Sequence, residues 1–290
     1  MIPPIASRFV AGETAPEALS YARELDGDDD IGVILNLLGE HYHERGSADA
    51  DAEVYLDLIA DIAETDGRIC ISVKPTQLGL EVGSEGNERP TKRGQEVFRE
   101  NLDRIVEQAR EHDVFVWIDM EDHPTTDATL DAYEELVCEH DGGVGVCLQA
   151  NLKRTSQDLD RLAGLPGKLR LVKGAYDEPS DLAYKQKAKV DEVYRDLLTQ
   201  AFETCEDGVA VATHDDEMIE HTLDLYEEHG TGFELQMLMG VREDRQAELT
   251  AEYEVWQYVP YGGRWMSYFY RRLVERKENV VFALRAIIGR

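Results

Sequence analysis

Lysine is scarce in this chain. Nine stand among 290 residues, at 74, 92, 153, 168, 173, 185, 187, 189 and 277, and arginine supplies the rest of the 30 positive charges. So little basic charge excludes generic binding of phosphate backbones. Cysteine is sparse too: Cys70, Cys138, Cys147 and Cys205 form no C-x-x-C pair, which excludes a disulfide ladder. No run of 18 apolar residues exists, so no membrane-spanning helix is expected. The most apolar stretch, 280–289, is interrupted by Arg285. The opening Met1-Ile2-Pro3-Pro4-Ile5 lacks the basic then apolar pattern of a secretory signal. No Pro/Gly/Ser linker and no internal repeat divides the chain, so 1–290 reads as one domain. A soluble, cytoplasmic protein is expected.

What is abundant is acid. Sixty Asp and Glu give a formal net charge of -30, far beyond the roughly 2–8 usual for a small soluble domain. The acidic runs, such as 28–30 and 49–53, fall between apolar segments. This texture suits a high-salt cytoplasm, where carboxylates stay hydrated and repulsion is screened within about 3 Å at 1 M. Hydrophobic residues make up 42% and are spread along the length, which excludes disorder.

Short runs rich in Val, Ile and Leu alternate with amphipathic stretches. The strand-like runs are 32–38, 68–73, 114–118, 144–148, 169–173, 209–213, 232–237 and 253–258. Helices are expected at 49–64, 93–112, 126–140, 156–163, 181–205, 216–229, 242–251 and 265–276. Eight strands each followed by a helix predict an α/β fold, a (β/α)8 TIM-like barrel. An extra N-terminal helix at 16–25 precedes the first strand, and the apolar tail 280–288 reads as a C-terminal helix. The segment 80–93, rich in Gly, Glu and Asn, reads as a mobile loop on the face where barrel chemistry occurs.

The C-terminal ends of barrel strands are where function is expected. Here they carry Glu40-His41-Tyr42-His43, Lys74, Asp119-Met120-Glu121-Asp122, Gln149, Lys173-Gly174-Ala175-Tyr176, Thr213-His214-Asp215 and Tyr258. Arg170, Glu234 and Gln236 lie within strands. Polar strand ends are often merely solvated. Eight in succession, with Lys74, Asp119 and Arg170 converging, point instead to a ligand, because burying ions costs several kcal/mol each. His41-x-His43 could supply metal ligands, but the His and Asp expected to complete that set after strands five and eight are missing, so no metal is expected. Lys74 or Lys173 could form a Schiff base. The mouth could also hold a flavin. Arg271 and Arg272, adjacent on the last helix with Glu275 one turn on, suit bidentate capture of a carboxylate.

These motifs resemble the proline dehydrogenase family. The resemblance rests on Lys74 in Ser-Val-Lys-Pro-Thr-Gln-Leu-Gly, Asp119 in Trp-Ile-Asp-Met-Glu, and Gln149 in Cys-Leu-Gln-Ala-Asn. It rests further on Arg170-Leu-Val-Lys-Gly-Ala-Tyr176, Thr213-His214-Asp215, Tyr258-Val-Pro-Tyr-Gly262 and Tyr-x-x-Arg271-Arg272-Leu-x-Glu275. It implies a monofunctional, FAD-dependent barrel. Such a barrel oxidises L-proline to Δ1-pyrroline-5-carboxylate and passes electrons to a quinone, with transient contact at the inner face of the cell membrane. By position, Arg271 and Arg272 would bind the substrate carboxylate, steadied by Glu275. Lys74, Asp119 and Glu40 would form an ion network at the substrate. Tyr176, Leu238 and Tyr258 would pack on its ring. Arg170 would sit by flavin N5 and Gln149 at the pyrimidine edge. Lys173, Gly174, Ala175, Thr213, His214 and Gln236 would contact the rest of the cofactor. The alternatives are a flavin barrel for another cyclic imino acid such as hydroxyproline, and a non-catalytic flavin or amino-acid sensor. Two departures stand out. Asp177 occupies a position where the family often has Trp, and Asp215 one where it often has Asn.

Overall fold

A computed structural model describes residues 2–3, 6–84 and 89–266. Eight strands close into one parallel barrel in sequence order: β1 (Gly32–Leu37), β2 (Ile69–Val73), β3 (Val116–Ile118), β4 (Val144–Gln149), β5 (Lys168–Val172), β6 (Val209–Ala212), β7 (Phe233–Leu238) and β8 (Val255–Tyr261). Helix α1 (Ala15–Asp29) precedes β1 and packs beside β1 and β8. The outer ring follows with α2 (Arg45–Ala63), α3 (Lys92–Glu111), α4 (Thr126–His140), α5 (Thr155–Leu162), α6 (Lys187–Thr204), α7 (Asp216–His229) and α8 (Glu243–Leu249). The final predicted helix and the tail 280–288 lie outside the described residues, apart from helical Trp265 and Met266.

Period-two alternation decides what faces where. On β1 and β2, Val33, Leu35, Ile69, Ile71 and Val73 face the helices and join the main core with Tyr55, Phe98, Leu102 and Leu136. Their neighbours Ile34 and Cys70 turn inward, where they meet Trp117, Ala210 and Tyr258. Bulky Trp117 fits because β4 approaches it through Gly145, where a Cβ would come within 2.4 Å of the indole. The same parity carries Asn36, Ser72, Lys74, Asp119 and Arg170 inward at the C-terminal end.

Several boundaries differ from the sequence expectation by one to a few residues, α2 starting at Arg45 rather than 49 among them. The helix expected from 181 starts at Lys187, because Leu182 and Ala183 turn back to donate to the Pro179 carbonyl and Ala183 bridges Leu152. Strand β5 ends at Val172 rather than Lys173. Strand β8 runs on past Tyr258 to Tyr261 despite Pro260, whose carbonyl accepts from Ala11 N at 2.9 Å. The loop after β2 is packed rather than loose over its first part. Leu78, Leu80 and Val82 are buried, and Thr91 Oγ1 donates to the Val82 carbonyl. No helix among the described residues is long and apolar enough to cross a membrane.

Candidate functional site

The inward-facing residues and the loops beyond them line a cavity of about 800 Å³. Every candidate that falls within the described residues borders it: Glu40, Lys74, Asp119, Gln149, Arg170, Lys173, Gly174, Ala175, Tyr176, Thr213, His214, Gln236, Leu238 and Tyr258. Arg271, Arg272 and Glu275 lie outside the described residues.

Asp119 is the hub. One oxygen accepts from Lys74 Nζ at 2.8 Å and from the Tyr258 hydroxyl at 2.6 Å. The other accepts from Arg170 Nη1 at 2.8 Å and Ser72 Oγ at 2.6 Å. Lys74 also donates to Asn36 Oδ1 and to Tyr258. Burial opposes both charges, yet they sustain each other. Lys74 and Arg170 hold the Asp119 carboxyl below the usual range, and Asp119 holds the Lys74 ammonium above it. Both groups therefore remain ionised around neutrality, and neither is a proton acceptor there. Arg170 is braced from the side by Trp117, with its guanidinium carbon 4.3 Å from the ring centroid. Its Nε and Nη2 are buried with no hydrogen-bond partner among the described residues.

A second layer joins neighbouring strand ends. The buried Glu121 carboxylate accepts from the Thr76 backbone N–H and from Thr76 Oγ1, each at 2.8 Å. The Glu121 carbonyl accepts from Gln149 Nε2 at 2.8 Å, which fixes that amide's orientation. Burial pushes the Glu121 carboxyl up to about 7, against the Thr76 bonds and the Lys74 charge. A carboxyl raised on folding costs the fold nothing while protonated; the cost grows as pH climbs from 4.5, the ordinary glutamate value, through about 7. Glu121→Gln, neutral throughout, is expected to gain on the parent across that window, by about 2–3 kcal/mol at pH 8. Urea unfolding at pH 5 and pH 8 measures it; an equal gap at both would exclude a buried ionisable Glu121. His41 and His43 both turn to Glu81, through its carboxylate at 3.1 Å and its carbonyl at 3.4 Å. The Glu81 bond lifts His41 to about 9.

The opposite side of the mouth is polar but balanced. Lys173 Nζ lies 2.5 Å from Asp191 and 2.7 Å from Asp215, and Asp215 also caps α7 through Glu217 N. Gly174 has φ +104°, and a Cβ there would come within 2.1 Å of Asn151 Oδ1, so only glycine brings the backbone this close. The Leu238 N–H donates to His214 Nε2 at 3.1 Å, so a neutral His214 carries its proton on Nδ1. Gln236 Nε2 donates to Glu234, which pairs with Lys168 at the far end of the barrel interior. Asp177 is exposed and pairs with Lys185.

Sequence reasoning passed over several lining or bracing groups. Asn36 and Ser72 follow from parity, each two residues from another inward group, and Glu121, noted only as part of a polar strand end, shares the face of Asp119 in the same way. Arg264, 4.6 Å from the Tyr42 ring centroid, lies on a loop that carries no such signal.

A model of the proline dehydrogenase family matches residues 18–285. Proline dehydrogenase 2 of Bacillus subtilis is 35% identical over 286 residues, 97% of this chain and 90% of that protein. The proline dehydrogenase of Deinococcus radiodurans is 36% identical over 289 residues, 98% of this chain and 90% of that one. Among solved structures, proline utilization A from Bdellovibrio bacteriovorus, inactivated by N-propargylglycine, matches at TM-score 0.83 with 24% identity over 93% of this chain. The chain spans only 32% of that solved chain, and at this identity the likeness speaks for the fold. Barrel, cavity and relatives agree: the chain belongs to the proline dehydrogenase family.

Proposed function

We propose that this chain oxidises L-proline to Δ1-pyrroline-5-carboxylate, using FAD and passing electrons on to a membrane quinone, with 1–290 acting as one catalytic domain. The observation that carries this reading is Arg170, locked by Asp119 and Trp117 beside the cavity with two buried donors unspent. Donors held in this way favour a ring that gains negative charge. The Gly174 backbone, the His214 tautomer and the oriented Gln149 amide also suit a flavin. A bound flavin supplies a hydride acceptor.

The chain's own residues do the rest. Lys74, kept cationic by Asp119, offers a charge to the substrate carboxylate, and Arg271 and Arg272 would complete the clamp. Tyr176, Leu238 and Tyr258 would form the wall against the pyrrolidine ring. Since Lys74 and Asp119 both stay charged, neither takes the proton that the substrate nitrogen must lose before oxidation. Lys173, held by Asp191 and Asp215, would lie toward the cofactor's phosphates. The acidic balance remains consistent with a high-salt cytoplasm, and electron delivery to a quinone calls for transient contact with a membrane surface.

Anaerobic addition of proline is expected to bleach the flavin band near about 450 nm. A yellow protein bleached by hydroxyproline and not by proline would change the substrate; one bleached by neither would leave a sensor. Replacing Arg271 and Arg272 by alanine, one at a time, is expected to raise KM for proline about 10–100-fold through loss of a charge-assisted pair. A change below twofold in both would remove the clamp from the scheme.

A further inference from the structure

Resting on that reading of the cavity, the geometry points to Glu121 and Thr76 as positioning residues that seat the β1 loop, with Glu40 and His41, over the substrate. Three observations carry this. First, Thr76 is fully buried and its polar atoms all serve as joints. Its N–H and Oγ1 donate to Glu121, its Oγ1 accepts from His41 N at 3.0 Å, and its carbonyl accepts from Tyr42 N at 3.1 Å. One residue thus ties the ends of β1, β2 and β3, and the Glu121 carbonyl extends the tie to Gln149 on β4.

Second, the tied segment is strained. His41 has φ +58°, a left-handed conformation that a side chain with a Cβ adopts at a cost of about 1–2 kcal/mol. Such a residue persists only where its surroundings hold it. Thr76 grips its backbone, and Glu81 grips its ring. Third, the segment so held borders the cavity through Gly39, Glu40 and His41. Burying the Glu121 carboxylate is costly for the fold, and a structural joint alone has no need of an ionisable group. Its two oxygens match the two Thr76 donors, which leaves the Thr76 hydroxyl oxygen turned to His41.

The test compares Thr76→Val, which keeps shape and removes Oγ1, with Thr76→Ser, which restores it. Glu121→Gln is the second variant, removing one of the two carboxylate acceptors. Hydrogen exchange in the holoenzyme is read over residues 38–43. Losing the His41 bond in Thr76→Val is expected to speed exchange there about tenfold, with the core strands unchanged. KM for proline is expected to rise about tenfold while kcat stays within about threefold, since the loop touches substrate and not the transferred hydride. Thr76→Ser should return both readings to parental values, and Glu121→Gln should move them in the same direction as valine but less far. Unchanged protection at 38–43, loss of protection across the whole barrel, or an unmoved KM beside a collapsed kcat would each overturn the assignment. Exchange reports on the tie whether or not proline is the substrate. An inactive parent with the expected exchange pattern would therefore remove the proposed reaction and leave the tie standing.

Discussion

Asp119→Ala is expected to lose about 3–5 kcal/mol of folding stability and about 10²–10³-fold in kcat/KM for proline. The reason lies in what remains. Four donors meet at this carboxylate, from Lys74, Arg170, Tyr258 and Ser72. Arg170 is 3% exposed, so without Asp119 two positive charges face each other away from water. Burial would then draw the Lys74 pKa down rather than up, since the charge that outweighed it has gone. The substrate clamp would lose its cation and Arg170 its fixed pose together. Asp119→Asn keeps the shape and one acceptor, and should fall between. Denaturant unfolding and steady-state kinetics on the same preparations check both halves. A loss under 1 kcal/mol with activity within about fivefold would mean that the network ornaments the cavity rather than building it.

Salt should matter as much. With a net charge of -30, the folded chain repels itself, and the Debye length falls from about 10 Å at 0.1 M to about 3 Å at 1 M. Many surface arginines are already engaged by carboxylates, as Arg99 is by Asp103 and Glu135, Arg154 by Asp127 and Asp158, and Arg161 by Asp131 and Glu134. With 60 acids against 30 lysines and arginines, half of the acid exceeds one-to-one pairing. Raising KCl from 0.1 M to 2 M is expected to lift Tm by about 5 °C, as about 3 kcal/mol of relieved repulsion would in a chain of this size. Calorimetry at fixed pH reads it directly. A flat or falling Tm would dismiss the high-salt reading of the composition. The buried Asp119 pairs are shielded from ions, so kcat should follow salt far less than stability does.

Most of the barrel could be read from the chain because its strands are covered on both faces. Runs such as Ile69–Val73 and Val144–Gln149 are short, buried throughout and apolar but for Ser72 and Gln149, and their spacing leaves room for one helix each. The errors occurred where tertiary contacts overrule local preference. The residues before Lys187 suit a helix, yet Ala183 is claimed by Leu152. Pro260 looks like a strand end, but β8 passes through it with its carbonyl still in use by Ala11. At the site, residues at strand ends were conspicuous; inside strands the charged Arg170 stood out, but Asn36 and Ser72 did not. Ser72 reads as an ordinary strand position until Lys74, two residues on, shows which face it shares. Glu121 was visible in the same way, two residues past Asp119. What no periodicity could supply was the pairing itself: that one carboxylate just past β3 would collect donors from β2 and its end, β5 and β8.

This long-range pairing constrains the order in which the molecule comes into being. Lys74 meets the Tyr258 hydroxyl across 184 positions of chain. The contact needs β8 to close against β1, and the seam is fastened further where Gly262 N donates to the Gly12 carbonyl. Contacts of such long range form slowly, since much chain must be ordered before they can stabilise anything. Until closure, β1 and β7 each leave a bare edge open to pairing with another chain. Closing the barrel and finishing the pocket are thus one event. A nascent or truncated chain that stops short of β8 has no half-built catalyst to offer, only two exposed strands.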